Sequence, residues 1–509
     1  MEHQRQLSAT RISNMTIFFL LAAPFVVALY GTFVFNPTNA DHLILYAFQV
    51  MADSISVVVL MGLWATVLLD VIVDTHHRMT RKWDKEWMDR EQPTLDIIVT
   101  TAGEPIEVIR ETIASVVALR YPHETYIFDD GRSVEVKELA DELGTNYVSR
   151  KDRAHAKSGN LNHGLKYCTG EFFAVFDADQ VVEPEFIDTL LPFMVEAKIA
   201  MVQSPQHYTN TERFIAAGAA QAQEVFYKYV CPSKNISNSA FCVGTNMIFR
   251  RAAIEGIGGI ALNKSEDIWT SLKLHEGGWN TIFVNRVLAR GQAPDKVVVY
   301  FKQQLRWASG GLKMLFHYNP MRSSSLHLDQ RIQYVMSNAF FLVGMSMVVY
   351  LLFPLLYLLY GIKPLQADST LYWAVHYLPF FFLYYSLTWL LTGRLSIATV
   401  ATALATFYPY VLALLSVIFN REQEWTATTS KKSSQGYLME WIWPHMVIII
   451  LTPFAIIVGW YNAYDFWSTV MYSVWALVNM YLLGLFLTGE RRFGVEYRLP
   501  EEMEKPQEA

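Results

Sequence analysis

Long uncharged stretches at both ends of this chain restrict its fold more than any other feature of the sequence. Residues 15–35 form the first stretch, and its length matches the about 20 apolar residues with which a helix crosses a bilayer. Residues 44–70 form a second stretch, which Asp53 and Ser54 interrupt. Four later stretches also predict membrane spans: 334–360, 371–391, 443–460 and 466–487.

The composition agrees with a protein that is only partly embedded in a membrane. Of its 509 residues, 52% are hydrophobic and 17% are charged, which is too apolar for a soluble enzyme and too charged for a pure membrane bundle. The net charge of −6 argues against nucleic acid as a partner. Three cysteines (Cys168, Cys231 and Cys242) form neither a disulfide framework nor a metal-type spacing, as expected of a reduced cytosolic face.

Basic residues next to the apolar stretches predict the orientation. Arg5 and Arg11 precede the first stretch and a basic flank follows the second, so the middle of the chain is expected in the cytosol. Segment 396–419 is apolar but rich in Thr and Ala. One basic segment precedes the last two spans and another follows them. Both basic segments are cytoplasmic only if segment 396–419 lies at the interface and does not cross the membrane. The predicted organisation has six spans and one interfacial helix: a membrane part at 1–74, a cytosolic domain at 75–325, a second membrane part at 326–490 and a tail at 491–509.

Short buried strands alternate with helices in the cytosolic domain. Strands are predicted at 95–100, 126–128, 146–148 and 172–176, with helices at 106–119 and 134–143. This alternation predicts a doubly wound, mostly parallel sheet, in which ligands bind beyond the carboxyl ends of the strands. An amphipathic helix over 211–230 is expected to lie on the membrane, although core packing explains that segment equally well. Residues 312–316 are expected to form another interfacial helix.

Acidic clusters follow two of these strands. Asp129 and Asp130 precede a glycine, and Asp177 and Asp179 follow strand 172–176. An Asp-x-Asp pair suits Mg²⁺ or Mn²⁺ held by one or two carboxylates plus substrate phosphates, although Asp is also common in turns after strands. Lys157, in a Lys-Ser-Gly-Asn motif, would place a cation near such a diphosphate.

Residues 265–307 contain a further acidic pair, Glu266 and Asp267, and end in Gln303-x-x-Arg306-Trp307. A carboxylate can take a proton from an attacking hydroxyl, Arg can hold a diphosphate leaving group, and Trp can offer its face to a sugar ring. A helix cap, a surface site or core packing explains each residue taken singly. Their combination, just before hydrophobic segments, favours sugar-polymer chemistry at a membrane.

Six ordered motifs of this chain together resemble the processive family-2 membrane glycosyltransferases. The likeness is strongest to the bacterial cellulose synthase catalytic subunit and related β-glucan synthases of the cellulose or curdlan type. The resemblance implies a GT-A type sheet inserted between transmembrane helices. The motifs are Asp129-Asp130-Gly131, the Lys-Ser-Gly-Asn-Leu-Asn-His block from Lys157, Phe176-Asp177-Ala178-Asp179, the Phe-Cys-Val-Gly-Thr-Asn block around Cys242, Ser265-Glu266-Asp267 and Gln303-x-x-Arg306-Trp307.

The resemblance also implies a role for each motif residue. Asp267 would be the general base for the acceptor hydroxyl, with Glu266 beside it, and Ser265 replaces the usual Thr of the family. The remaining roles are uridine contact for Asp129 and Asp130, binding of the diphosphate and its Mg²⁺ or Mn²⁺ for Asp177 and Asp179, binding of the leaving UDP for Lys157, Gln303 and Arg306, and contact with the acceptor sugar for Cys242 and Trp307.

The loop at 421–436 resembles the gating loop of cellulose synthase. Thr429 and Lys431 align with that loop and would close over the diphosphate, whereas Thr426 and Thr428 replace its Phe and Val. This departure leaves the linkage open between β-1,4 and a β-1,3 or mixed-linkage glucan. The short tail after residue 490 leaves no room for the c-di-GMP-binding domain of many bacterial cellulose synthases, so we expect no regulation of that kind within the chain.

The resemblance thus implies an inverting enzyme of the bacterial inner membrane that polymerises a UDP-sugar, with UDP-glucose favoured, and passes the β-glucan through its own channel. Its expected partners are the UDP-sugar, the nascent chain, the bilayer and accessory secretion subunits. One alternative is a hyaluronan- or chitin-type synthase that uses UDP-N-acetylhexosamine. Two others are a non-catalytic polysaccharide transporter, which would need no carboxylate set, and a transferase of single sugars to a lipid carrier.

Overall fold

A seven-stranded sheet forms the centre of the protein. The computed structural model describes residues 12–77, 82–263, 265–421, 438–462 and 464–490. The strands lie in the order β3-β2-β1-β4-β7-β6-β8, and only β7 runs antiparallel to its neighbours. The mostly parallel sheet is therefore confirmed. The strands are β1 Leu95–Thr101, β2 Glu124–Asp129, β3 Asn146–Val148, β4 Phe172–Asp177, β6 Ile199–Gln203, β7 Met247–Arg250 and β8 Asn280–Phe283, with a separate pair, β5 Val181–Val182 and β9 Ala289–Arg290.

Helices surround the sheet, and further helices precede its first strand and follow its last strand in the sequence. Two π-helical turns, Phe226–Val230 and Met314–Tyr318, extend helices of the sheet-containing part. The α-helices in chain order are α1 Asn14–Val34, α2 Leu43–His77, α3 Lys85–Glu91, α4 Ile106–Val117, α5 Val134–Glu142, α6 Ala156–Gly164, α7 Phe186–Leu190, α8 Phe214–Val225, α9 Cys231–Ser233, α10 Arg251–Gly256, α11 Glu266–Glu276, α12 Val297–Lys313, α13 Leu328–Ala339, α14 Val343–Tyr360, α15 Thr370–Thr392, α16 Ile397–Ala405, α17 Phe407–Ile418, α18 Leu438–Tyr461 and α19 Phe466–Leu487.

Both faces of the sheet are covered by helices, and this explains the continuous apolar strands in the sequence. All seven residues of β1 are buried. Ile97 packs in one hydrophobic cluster with Ile113 of α4, whereas Ile98 packs in another with Leu161 of α6. Alternate side chains of a strand point to opposite faces, so a strand buried on both faces is apolar throughout. The doubly wound arrangement is therefore confirmed.

Two predicted helices differ from those in the structure. The helix expected over 211–230 begins at Phe214 and ends in the π-helical turn Phe226–Val230. Residues 312–316, expected as a separate interfacial helix, instead form the end of α12 and its π-helical extension. The helix continues because no breaking residue occurs until Asn319, which has a φ of 58° and precedes Pro320.

Seven helical segments in the described part of the chain are long and apolar enough to cross a membrane. Six of them coincide with the predicted spans. The seventh, Ile397–Ile418, is the segment predicted to lie at the interface, and it consists of two helices that meet at Thr406. Its first half packs against α8 and α19, and its second half packs against α12 and α14. The segment thus contacts both the sheet-containing part and the apolar helices, and its interfacial position stays a prediction.

Asp53 does not interrupt the second span. The carboxylate is buried within α2 and accepts hydrogen bonds from Gln49 Nε2 and from the hydroxyl of Tyr350 in α14, each at 2.6 Å. Partners within the protein thus replace water around this charge, as expected for an acidic group in a membrane helix.

Candidate active site

A cavity of about 810 Å³ lies beyond the carboxyl ends of β1 and β4. The end of β1 contributes Thr100 and Thr101, and the end of β4 contributes Asp177. This is the edge at which a parallel sheet binds its ligands. The structure brings nine of the predicted site residues to the wall of this one cavity: Asp130, Lys157, Asp177, Asp179, Glu266, Asp267, Gln303, Arg306 and Trp307.

Lys157 lies between two acidic groups of the cavity, one with Asp177 and the other with Glu266. Its Nζ donates to the carbonyl of Gly244 at 2.6 Å and forms an ion pair with Asp177. Burial disfavours the charged form of Lys157, but the charges of Asp177 and Glu266 outweigh burial and raise its pKa. Lys157 therefore stays a cation in a site that carries several negative charges.

A second carboxylate group lies at the turns after β1 and β4. Burial, together with the charge of Asp177, raises the pKa of Asp179 to about 6. Burial also raises the pKa of Glu104 to about 7, with a smaller contribution from the charges of Asp179 and Asp177. Glu104 accepts a hydrogen bond from the backbone N–H of Ala102 at 2.6 Å. The sequence analysis did not identify Glu104, although its position in the turn directly after a predicted strand was a usable signal.

This group of carboxylates suits a divalent cation that is shared with a phosphate ligand. Within the described ranges, no three His, Cys, Asp or Glu side chains are arranged to hold a metal ion by themselves. One or two carboxylates plus phosphate oxygens are nevertheless the usual ligands of Mg²⁺ in nucleotide sites. The pKa values of Asp179 and Glu104 are raised chiefly because burial disfavours their ionised forms, which a bound cation would stabilise.

The acidic pair occupies the first turn of α11. Burial raises the pKa of Asp267, whose Oδ1 accepts from the backbone N–H of Ile268 at 2.8 Å. Burial and the charge of Asp267 raise the pKa of Glu266 to about 7, against the opposing charges of Lys157 and Arg306. Two interacting carboxyls of this kind lose their protons in separate steps, so one of them is available as a base near neutral pH.

Three residues of the Gln-x-x-Arg-Trp motif lie on the cavity side of α12. Positions i, i+3 and i+4 share one face of a helix, and this spacing brings Gln303, Arg306 and Trp307 to the cavity together. Arg306 forms no salt bridge with any residue in the described part of the chain. Its guanidinium is therefore free to bind an anion such as a diphosphate.

Of the two aspartates after β2, only Asp130 lines the cavity. Arg150 makes a bidentate contact with the carboxylate of Asp130, in which Nε and Nη2 donate to the two oxygens at 2.7 and 2.8 Å. Asp129 lies behind the wall with both oxygens in use, so a ligand would have to displace one of its own partners. These partners are Thr101 Oγ1, the backbone N–H groups of Gly131 and Ser133, and the Tyr147 hydroxyl.

Cys242 is not brought to the cavity. Its side chain is 1% exposed and belongs to the hydrophobic cluster beneath the sheet, next to Met247. The backbone N–H of Cys242 donates to Ser271 Oγ at 2.7 Å and its thiol accepts from the backbone N–H of Gly244 at 3.4 Å, whereas Val243 and Gly244 line the cavity. Any contact of this motif with an acceptor sugar would come from these two residues. Thr429 and Lys431, predicted to bind the diphosphate, lie outside the described residues.

Two family models match the chain. The model described as "Glycosyltransferase like family 2" matches residues 93–310, and the model described as "Cellulose synthase" matches residues 254–493. The two matches overlap across α11 and most of α12, which carry the acidic pair and the Gln-x-x-Arg-Trp motif.

Similar proteins include bacterial cellulose synthase subunits. The chain is 32% identical over 302 residues to "Cellulose synthase 1 catalytic subunit [UDP-forming]" of Komagataeibacter xylinus, and the match covers 57% of this chain and 40% of that protein. It is also 32% identical over 302 residues to "Cellulose synthase catalytic subunit [UDP-forming]" of Pseudomonas fluorescens (strain SBW25), with 57% and 41% covered. The matched region thus spans less than half the length of these relatives.

A solved structure supports the fold of the sheet-containing part. The mannosyltransferase PcManGT from Pyrobaculum calidifontis, in complex with GDP-Man and Mn²⁺, superposes with a TM-score of 0.51 at 15% identity. The superposition covers 73% of this chain and all of the mannosyltransferase, and so confirms the GT-A type fold. With its apolar helices, the chain is a multi-pass membrane protein. The two family matches and these relatives thus identify a region similar to the family-2 glycosyltransferases at residues 93–310 and a region similar to the cellulose synthases at residues 254–493.

Proposed function

We propose that the protein is a processive, inverting glycosyltransferase that polymerises UDP-glucose into a β-glucan. The observation that carries this proposal is the arrangement within one cavity, where Glu266 and Asp267 lie with Lys157 and Arg306. A base and an anion-binding pair are the two parts that transfer from a sugar diphosphate requires. The names of the relatives, which describe UDP-forming cellulose synthases, favour UDP-glucose as the donor.

In the proposed reaction, Asp267 accepts the proton of the acceptor hydroxyl as its oxygen attacks the anomeric carbon of the donor. The new bond forms on the face opposite to the bond that breaks, so the configuration inverts and UDP leaves. Lys157 and Arg306 neutralise the charge that develops on the diphosphate. Asp177 and Asp179 would hold a divalent cation, Mg²⁺ or Mn²⁺, that binds the same diphosphate. Trp307, at the same wall, offers a ring face for the acceptor sugar.

The polymer is proposed to leave through the helices that adjoin this site. α12 packs along α17, and α13 continues through a short 3₁₀ turn into α14, so the site and the membrane helices are in direct contact. A processive enzyme needs such an exit because the product stays bound while the next donor enters. The catalytic part would face the cytosol at a bacterial inner membrane.

The test uses detergent-purified protein with Mg²⁺ and radiolabelled UDP-glucose. We expect the wild type to form a polymer, Asp267→Asn to lose at least 100-fold in rate as removal of a general base does, and Asp141→Asn to behave as wild type. Asp141 is a matched control because it is an exposed aspartate of α5, away from the cavity. Digestion with linkage-specific glucanases then distinguishes a β-1,4 from a β-1,3 product.

Two of the alternatives give a different result in this assay. Incorporation from UDP-N-acetylglucosamine but not from UDP-glucose would replace the proposal with a hyaluronan- or chitin-type synthase. No incorporation from any UDP-sugar, together with passage of added polysaccharide across vesicles, would indicate a transporter. Equal rates for wild type and Asp267→Asn would reject Asp267 as the base.

A further inference from the structure

His275 lies at the end of α11 opposite to the acidic pair. It is 2% exposed, and its Nδ1 is 2.7 Å from the hydroxyl of Tyr334 in α13. Its Nε2 is 2.9 Å from Oγ1 of Thr281 in β8. His275 follows Asp267 by eight residues, so about 12 Å of helix separates the two. The histidine is therefore too far from the cavity to take part in the chemistry directly.

The hydrogen bonds around His275 have one direction. The Thr281 hydroxyl donates its proton to the carbonyl of Ala240 at 2.6 Å, so its oxygen accepts from Nε2–H of His275. Nδ1 of the neutral ring is then the acceptor for the hydroxyl proton of Tyr334. The bonds form one chain from Tyr334 through His275 and Thr281 to Ala240, and this chain fixes the ring in one orientation.

Tyr334 belongs to the helix that leads into the membrane part. α13 and α14 form one apolar segment, Leu328–Tyr360, that is long enough to cross a bilayer. One turn after Tyr334, Asn338 packs against α12, where a Cβ on Gly311 would come within 2.8 Å of Asn338 Oδ1. α13, which binds His275 through Tyr334, is thus also in close contact with α12, the helix that carries Arg306.

We propose that His275 and Tyr334 are positioning residues for the transfer reaction. Their hydrogen bond attaches the C-terminal end of α11 to the membrane-entry helix α13 and thereby sets the position of Asp267 relative to Arg306. The proposal rests on the proposed function, in which Asp267 is the base. An eleven-residue helix is stiff, so a shift at one end moves the other, and an error of about 1 Å between reacting groups costs about 100-fold in rate.

The packing around this hydrogen bond explains why its loss would change the position of Asp267 in the cavity. The apolar face of α11 packs with Met314 and Tyr334 in a small cluster through Ile268 and Leu272. Apolar contacts of this kind allow a helix to slide, because they have little directional preference. Glu276 at the same end of α11 accepts from Tyr318 and Ser323, which precede α13, and the His275–Tyr334 bond ties the helix to α13 itself.

The test is Tyr334→Phe, which removes only the hydroxyl. We expect kcat with UDP-glucose to fall about tenfold while KM for UDP-glucose changes less than twofold, because the donor contacts are unaffected. The matched control is Tyr229→Phe, since the Tyr229 hydroxyl is also buried and donates over 2.7 Å to the carbonyl of Leu391. His275→Gln should lower kcat similarly. The kcat of the double variant should be no lower than that of the less active single variant, because both substitutions remove the same hydrogen bond.

A second readout does not depend on turnover. Amide hydrogen exchange within α11 should be faster in Tyr334→Phe than in wild type, and unchanged in Tyr229→Phe. Unchanged exchange in α11 would overturn the proposal, and so would a kcat no lower than that of Tyr229→Phe. A multiplicative loss in the double variant would also overturn it. Absence of any incorporation by the wild type would instead reject the proposed function, and the exchange result would still decide whether the bond holds α11.

Discussion

Gly310 of α12 lies directly against Ser265, the residue that precedes α11. A Cβ on Gly310 would come within 1.8 Å of Ser265 Oγ and 2.4 Å of Ser265 Cβ. The helix with Arg306 and Trp307 and the helix with the acidic pair therefore approach each other at a point where one of them has no side chain. The width of the cavity between the proposed base and the proposed anion-binding residue depends on this contact.

Gly310→Ala should separate the two helices. The added methyl group overlaps Ser265 Cβ, whose position is fixed by its own backbone, so we expect a loss of about 1–3 kcal/mol in the free energy of unfolding and a lower kcat. Gly256→Ala is the matched control, because nothing lies within 4 Å of a Cβ at that helical position. Thermal unfolding and turnover of the two variants check the prediction, and wild-type behaviour of Gly310→Ala would contradict it.

The sheet and its carboxyl-terminal edge could be predicted from the sequence because their signals are local. A run such as Leu95–Thr101 is buried throughout and nearly continuously apolar apart from Asp96, and an acidic group that directly follows such a run must lie at the ligand-binding edge. The resemblance to a known family added the motif residues of α11 and α12. Nine of the predicted site residues, five of them from α11 and α12, line one cavity in the structure.

The remaining features depend on which direction a side chain takes, and this is decided by distant parts of the chain. Cys242 belongs to the same motif as Val243, but its thiol packs inward beside Met247 in a hydrophobic cluster. Asp129 is withdrawn from the cavity by Tyr147, which comes from a different strand. The importance of Gly310 is likewise visible only when Gly310 and Ser265, which are 45 residues apart in the sequence, are placed together.

Removal of Arg150 should affect both stability and donor binding. Arg150 and Asp130 form a buried, two-point ion pair with side chains 8% exposed, so Arg150→Ala leaves a carboxylate without its cation. We expect a loss of about 3–5 kcal/mol in stability and a higher KM for UDP-glucose. Arg110→Ala is the control, because Arg110 pairs with Glu142 at the exposed surface. Chemical unfolding compares the variants, and equal stability of the two would contradict the prediction.

The rate should depend on pH through the acidic pair. Glu266 has a pKa of about 7 because it is buried beside the charge of Asp267, so the pair holds one proton below neutral pH. We expect kcat to rise with pH through about 7 and then to level. In Glu266→Gln the remaining carboxyl no longer faces a second negative charge, so the midpoint of this rise should move to lower pH. Rates from pH 5 to 9 measure the midpoint. An unchanged midpoint in Glu266→Gln would exclude Glu266 as the second carboxyl that shifts it.

The stability of the metal-free protein should fall as pH rises. Glu104 and Asp179 have raised pKa values of about 7 and about 6 in the folded protein, so between these values and the lower ones of the unfolded chain the folded state binds more protons. Unfolding free energy then decreases with pH over this range.

Added Mg²⁺ should reverse this trend, because the cation favours the ionised carboxyls that would bind it. We expect Mg²⁺ to raise the melting temperature more at pH 8 than at pH 5 in the wild type, and to have little effect in Asp179→Asn. Asp141→Asn, which removes an exposed carboxyl outside the cavity, should respond to Mg²⁺ as wild type does. Thermal melts in EDTA and in Mg²⁺ provide the comparison. The same Mg²⁺ effect in Asp179→Asn and in wild type would mean that the cation binds elsewhere.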